Sequence, residues 1–115
     1  MSDHLEDVWL PEVEAEFFAL LKLSRDVGVD VGNQFRAFEH LVERGVDAKW
    51  RPIEPAGASD VYAMYARYAM MFFAVSGRRV AIVKWTMVGT EYEQRQARVQ
   101  ACERAARVFP KRVGQ

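Results

Sequence analysis

Residues 61–85 read VYAMYARYAMMFFAVSGRRVAIVKW, and the fold turns on whether this stretch is a buried helix, a membrane segment or a β-hairpin. From Val61 to Ser76 it holds 14 apolar residues. A spanning helix needs roughly 20. Arg67 sits in the middle, where a charge is costly in lipid, so the membrane reading fails. As a helix, Tyr62, Tyr65, Ala69 and Phe73 would share a face. As a strand, Tyr62, Met64, Ala66, Tyr68, Met70 and Phe72 alternate along one side, and aromatic residues favour strands. The following residues decide between these readings. Ser76-Gly77 has the character of a two-residue hairpin loop, and RRVAIVKW is β-branched with no helical stripe. We expect a strand at 70–75, its partner after the turn, and a further strand near 60–66 that completes a meander. The aromatic and methionine side chains would then form core on one face of the sheet.

Working outward, VWL at 8–10 ends at Pro11, which suits a short opening strand or the start of a helix. From Glu12, the residues Val13, Phe17, Leu20, Leu21 and Ser24 follow helical spacing. DVGVDVG at 26–32 then reads as a break. NQFRAFEHLVERG makes a second amphipathic helix, with Phe35, Phe38, Leu41 and Val42 on one face and Gly45 as C-cap. WRPIEPAGAS, with two prolines, reads as loop or short edge strand. Thr90 and Glu93 have capping-box spacing at the start of a last helix, whose apolar stripe would be Val99, Cys102, Ala106 and Phe109. The expected order is β-α-α-β-β-β-α. The expected fold is α+β, a single domain over 1–115, with an N-terminal helical hairpin packed on a small antiparallel β-sheet and a C-terminal helix.

The chain has 115 residues and a formal net charge of zero, but the charge is unevenly spread. Residues 1–60 carry 13 acidic and 6 basic side chains, whereas residues 61–115 carry 3 acidic and 10 basic. Such asymmetry points either to a polyanionic partner for the basic half or to attraction between the halves within the fold. The one cysteine, Cys102, has no intramolecular disulfide partner. MSDHLEDVWL lacks the apolar run of a secretory signal. Both suggest a reducing cytoplasm. His4 and His40 stand apart from any metal-ligand pattern, and no phosphate loop, nucleophile elbow or HExxH is present. A DNA-recognition helix is disfavoured because the helical pair is acidic.

The remaining chemistry is basic and aromatic. Arg67, Arg78, Arg79 and Lys84 come from the hairpin region, and Arg95, Arg98, Arg104, Arg107, Lys111 and Arg112 follow it. Tyr62, Tyr65, Tyr68, Trp85 and Tyr92 are interleaved with them. Arginine forks pair with phosphates and stabilise charge developing in phosphoryl transfer. Aromatic rings offer stacking surfaces to unpaired bases. A solvated charged rim around an aromatic core would produce the same composition.

Three strings, PEVEAEFFALL, RPI followed by SDVYAMYARYAMMFFAVSGRRVAIVKW, and EYEQRQARVQACERAARVF, occur in an order that resembles the RelE/HigB/ParE-like toxins of bacterial and phage toxin–antitoxin modules. The resemblance covers most of the chain and is one of element types. It implies ribosome-dependent cleavage of messenger RNA without a metal or other cofactor, in which a 2′-hydroxyl attacks the adjacent phosphate. On this resemblance Arg67, Lys84, Tyr92 and Arg95 are the catalytic candidates, and Arg78, Arg79, Trp85 and Arg98 would bind RNA. The implied partners are a cognate antitoxin, the ribosome with its messenger RNA, and a second copy of the chain. The alternative is a non-enzymatic protein on the same fold that docks on a host target, as ParE-like toxins do on gyrase, or a repurposed phage protein.

Overall fold

The computed structural model describes residues 4–47, 49–56 and 59–110. The elements are β1 (Glu6–Val8), α1 (Pro11–Leu21), α2 (Arg25–Arg44), β2 (Glu54–Ala56), β3 (Ser59–Tyr65), β4 (Ala69–Ser76), β5 (Arg79–Met87) and α3 (Glu91–Val108). The class is α+β, and the expected order β-α-α-β-β-β-α is met with one strand more, the short β2 in the stretch that reads in sequence as loop or edge strand. The five strands lie in the order β1-β5-β4-β3-β2.

The 61–85 stretch is a meander of three antiparallel strands. Tyr65 faces Met70 across β3 and β4, and Ser76 faces Arg79 across β4 and β5. The connecting loop is therefore Gly77-Arg78, one residue later than the sequence suggested. Gly77 has φ 60°, and among the described residues no non-glycine residue has a positive φ. This matches a II′ turn, whose twist fits the flanking strands. The sheet is mixed rather than purely antiparallel, because β1 runs parallel to β5, pairing Glu6 with Arg79 and Val8 with Ala81.

The largest departure concerns the faces of the sheet, since both are core. β4 (AMMFFAVS) is buried from Ala69 to Ala74, so it reads as a continuous apolar run rather than an alternating one. Tyr62, Met64, Met71, Phe73, Ile82 and Trp85 pack beneath α1 and α2. Val61, Met70, Phe72, Ala74, Ala81 and Val83 pack beneath α3. In the first layer Tyr62 stacks on Phe73 at 5.1 Å, and Phe17 tilts against Trp85 at 5.4 Å. In the second, α3 approaches closely through Ala97, Ala101 and Ala105 with Phe109 at its end. The expected stripe holds at Phe109 but is otherwise displaced. Val99 is 49% exposed, Ala106 is exposed and Cys102 is only half-buried.

The N-terminal helices also differ from expectation. DVGVDVG lies inside α2, which starts at Arg25 after Ser24 accepts from the Val27 amide. The break falls at Lys22–Ser24 instead. The two helices are unequal, of 11 and 20 residues. They pack against each other about as extensively as α1 packs on β5, and α2 also lies over β4, so the pair is a lopsided one rather than a clear hairpin of matched helices. The last helix starts as its sequence demands, with both bonds of the Thr90–Glu93 capping box present. No described helix is long and apolar enough to cross a membrane.

Candidate nucleic-acid interface

The β3–β4 turn is held from several sides. Asp30 of α2 accepts the Tyr68 amide at 2.7 Å, and Gln34 of α2 donates to the Ala69 carbonyl at 2.9 Å. The Ala66 amide bonds to the Ala69 carbonyl, and the Val88 amide to that of Tyr68, both at 2.9 Å. On this fixed support Arg67 is exposed, with its guanidinium 5.3 Å from the centre of the Tyr68 ring. Asp30 escaped the sequence reading because the glycines of DVGVDVG disguised the first turns of α2, and Gln34, although on the expected helix, because nothing local marks a glutamine that reaches a strand 35 residues away.

Beside the same end of the sheet, Tyr65 is 57% exposed. It shares a hollow of about 150 Å³ with Glu91, Gln94, Arg95 and Arg98 from the first turns of α3. Arg95 pairs with Glu91 at 3.6 Å, an exposed i,i+4 contact worth little in water. Tyr65 was counted only among the interleaved aromatics, yet it offers the ring surface nearest two arginines.

Lys84 and Tyr92 line a larger groove of about 490 Å³ between β5 and α3, together with Thr86, Gln96, Glu93 and Glu103. Two carboxylates against one lysine make this groove a poor seat for phosphate. Moreover, Lys84 is engaged, its Nζ lying 2.8 Å from Glu16 Oε2. The other oxygen of Glu16 accepts from Arg104 at 2.9 Å and from the Trp85 amide at 3.1 Å. Arg104 also reaches the Val83 carbonyl at 3.0 Å. Val83 is the extra residue of a β-bulge, because Phe72 faces Lys84 while Phe73 faces Ile82. One half-buried carboxylate thus joins α1, β5 and α3. Burial raises the Glu16 pKa, but the hydrogen bonds from Arg104, Lys84 and the Trp85 amide, with the lysine's charge, outweigh it and hold the carboxyl below its ordinary 4.5. Lys84 is therefore corrected from catalytic candidate to structural partner.

Trp85 is corrected as well. It is 2% exposed within the α1–α2 layer, so no base can stack on it. Arg78 and Arg79 sit at the opposite end of β5 from Met87, and the Arg79 guanidinium stands 5.3 Å from the centre of the Phe109 ring. They do not join Arg67, Arg95 and Arg98. Lys111 and Arg112 lie outside the described residues. Much of the charge asymmetry is answered internally, since Arg107 pairs with Glu12 just as Arg104 and Lys84 pair with Glu16.

The arrangement that can take a polyanion is thus the end of the sheet carrying Arg67, Tyr65, Arg95 and Arg98, with Tyr92, 67% exposed, on the adjoining flank of α3. Its chemistry is bidentate pairing with phosphate and ring stacking. Among the described residues no group of three or more His, Cys, Asp or Glu could hold a metal ion. Comparison of the chain with protein-family models, with curated proteins and with solved structures finds no match in any of the three.

Proposed function

We propose that this chain is a toxin-like protein of the RelE/HigB/ParE kind that engages messenger RNA at the ribosome and is held in check by a cognate antitoxin. The observation that supports the reading is the pinned β3–β4 turn. It presents Arg67 at the same end of the sheet as Tyr65, Arg95 and Arg98. Arginines carried on a fixed backbone beside an exposed ring suit a single-stranded backbone with an unstacked base. In the cleavage step a 2′-hydroxyl would lose its proton and attack the adjacent phosphorus, expelling the 5′-oxygen. Tyr92 would serve in proton transfer, with Arg67 and Arg95 stabilising the added phosphate charge.

Primer extension on translating ribosomes tests this reading. Wild type should generate new 5′ ends within messenger RNA, and Arg67→Ala should lose most of them while remaining folded. Absence of cleavage by wild type would refute the enzymatic step. A second reading, a non-cleaving protein that docks on a host target, is favoured by one observation: Lys84 is occupied by Glu16 rather than available to a phosphate. Capture of a single host protein such as gyrase, without ribosomal components, would favour that reading.

A further inference from the structure

Away from the arginine-bearing end, β1 closes the sheet with nothing beyond it among the described strands. The Glu6 amide donates to the Arg78 carbonyl at 2.7 Å. At a strand period of two, the Asp7 amide and carbonyl therefore point outward from the sheet, where another extended chain could take them up. Asp7 also forms one wall of a cleft of about 230 Å³ between β1 and α2, with Trp9, Phe35, Phe38, Glu39 and Glu43. Three carboxylates line it with His4 beside them, and no lysine or arginine does.

The aromatic walls are ordered by their neighbours. Trp9 is 43% exposed, packs its ring 5.8 Å from Phe35, and donates its indole N–H to Asp7 at 2.8 Å. Glu39 and Glu43 are exposed, and across the ridge they form lies a second hollow with Arg36 and His40. The cleft is smaller than the roughly 300 Å³ at which small-molecule sites begin, so it suits one side chain rather than a whole ligand. Indole and phenyl faces attract cations, Arg most often, and carboxylates around them add charge-assisted acceptors.

We propose that β1 and this cleft form a docking site for an extended segment of a partner protein. The segment would pair with the Asp7 backbone and seat an arginine between Trp9, Phe35 and the Glu39–Glu43 carboxylates. The proposal stands apart from the RNA reading, because it uses the opposite end of β5 and the other face of the sheet.

The test is a titration of the ¹⁵N-labelled full chain with acetyl-Val-Arg-Val-amide, alongside the same peptide carrying neutral, isosteric citrulline. Shifts should concentrate at Asp7, the Trp9 indole and residues 35–43. Citrulline should weaken binding about tenfold, as should E39Q/E43Q, through loss of the cation's partners. Both glutamates are exposed, so the variant should keep its fold, and the citrulline comparison needs no variant. Equal binding of the two peptides, or shifts mapping elsewhere, would overturn the proposal. Cleft resonances that already move with protein concentration would also overturn it, by assigning the cleft to a second copy.

Discussion

Glu16 shows how little a residue's type says about its work. In sequence it is one of three acids along the first turns of a helix, the pattern of a solvated face. In the structure its side chain is 21% exposed and binds Lys84, Arg104 and the Trp85 amide, whose cations are 15% and 12% exposed. Glutamine there keeps one acceptor oxygen but leaves two poorly hydrated cations without a counter-charge and one of them facing an amide N–H. Some solvent remains, so E16Q should cost about 2 kcal/mol, below the cost of breaking a fully buried pair. K84M should cost only about 1 kcal/mol, because Arg104 and the amide still satisfy the carboxylate. Urea unfolding checks both. The pH dependence has a definite sign. The folded pKa lies below 4.5, so the contribution is present above the unfolded value and drains as pH falls through the folded one. The advantage of wild type over E16Q should therefore be full above about pH 5 and shrink progressively below it.

At the scale of elements, α2 is the instructive case. Its glycines look like a loop, yet they occupy consecutive turns of one helix whose buried line is Val27, Val31, Gln34, Phe38 and Leu41. The two glycines are not equivalent. A Cβ on Gly28 would lie 3.2 Å from the Leu21 carbonyl, whereas one on Gly32 meets nothing within 4 Å. Gly32→Ala should therefore stabilise the protein by about 0.5–1 kcal/mol, through helix propensity and a less free unfolded chain. Gly28→Ala should gain less or lose stability. Thermal melts of the two variants decide this. At α3, Thr90→Ala removes one arm of the capping box and should cost about 1 kcal/mol. The elements that were legible in sequence have local causes: the turn glycine at 77, β-branched β5, and the cap at Thr90. The parallel pairing of β1 with β5 and the grip of Asp30 on Tyr68 join residues 73 and 38 positions apart, for which a local pattern carries no signal, and the bulge at Val83 is set by register across two strands rather than by either strand alone. The candidate site divided in the same way. Arg67 and Arg95 kept exposed positions near one end of the sheet with Arg98 half-buried beside them, while Trp85 and Lys84 were claimed by packing and by Glu16.

For the whole molecule, the decisive property is a sheet buried on both faces. β4 lies in the middle of it, between β3 and β5 and between the two helical layers. Its amides should exchange with solvent only on global unfolding, while those of β1, a three-residue edge strand, exchange far faster. Hydrogen-exchange mass spectrometry resolves the two. Uniform exchange across the sheet would contradict the layered core. The Glu16 junction has a further consequence for how the molecule comes into being. A chain made from its N-terminus onward presents Glu16 long before its partners, since Lys84 follows 68 residues later and Arg104 follows 88 later. Until α3 emerges, the apolar row of Val61, Met70, Phe72, Ala81 and Val83 has no cover. The nascent meander is thus the period of greatest vulnerability to aggregation, and the arrival of α3 both seals that surface and completes the neutralisation of an acid laid down well before it.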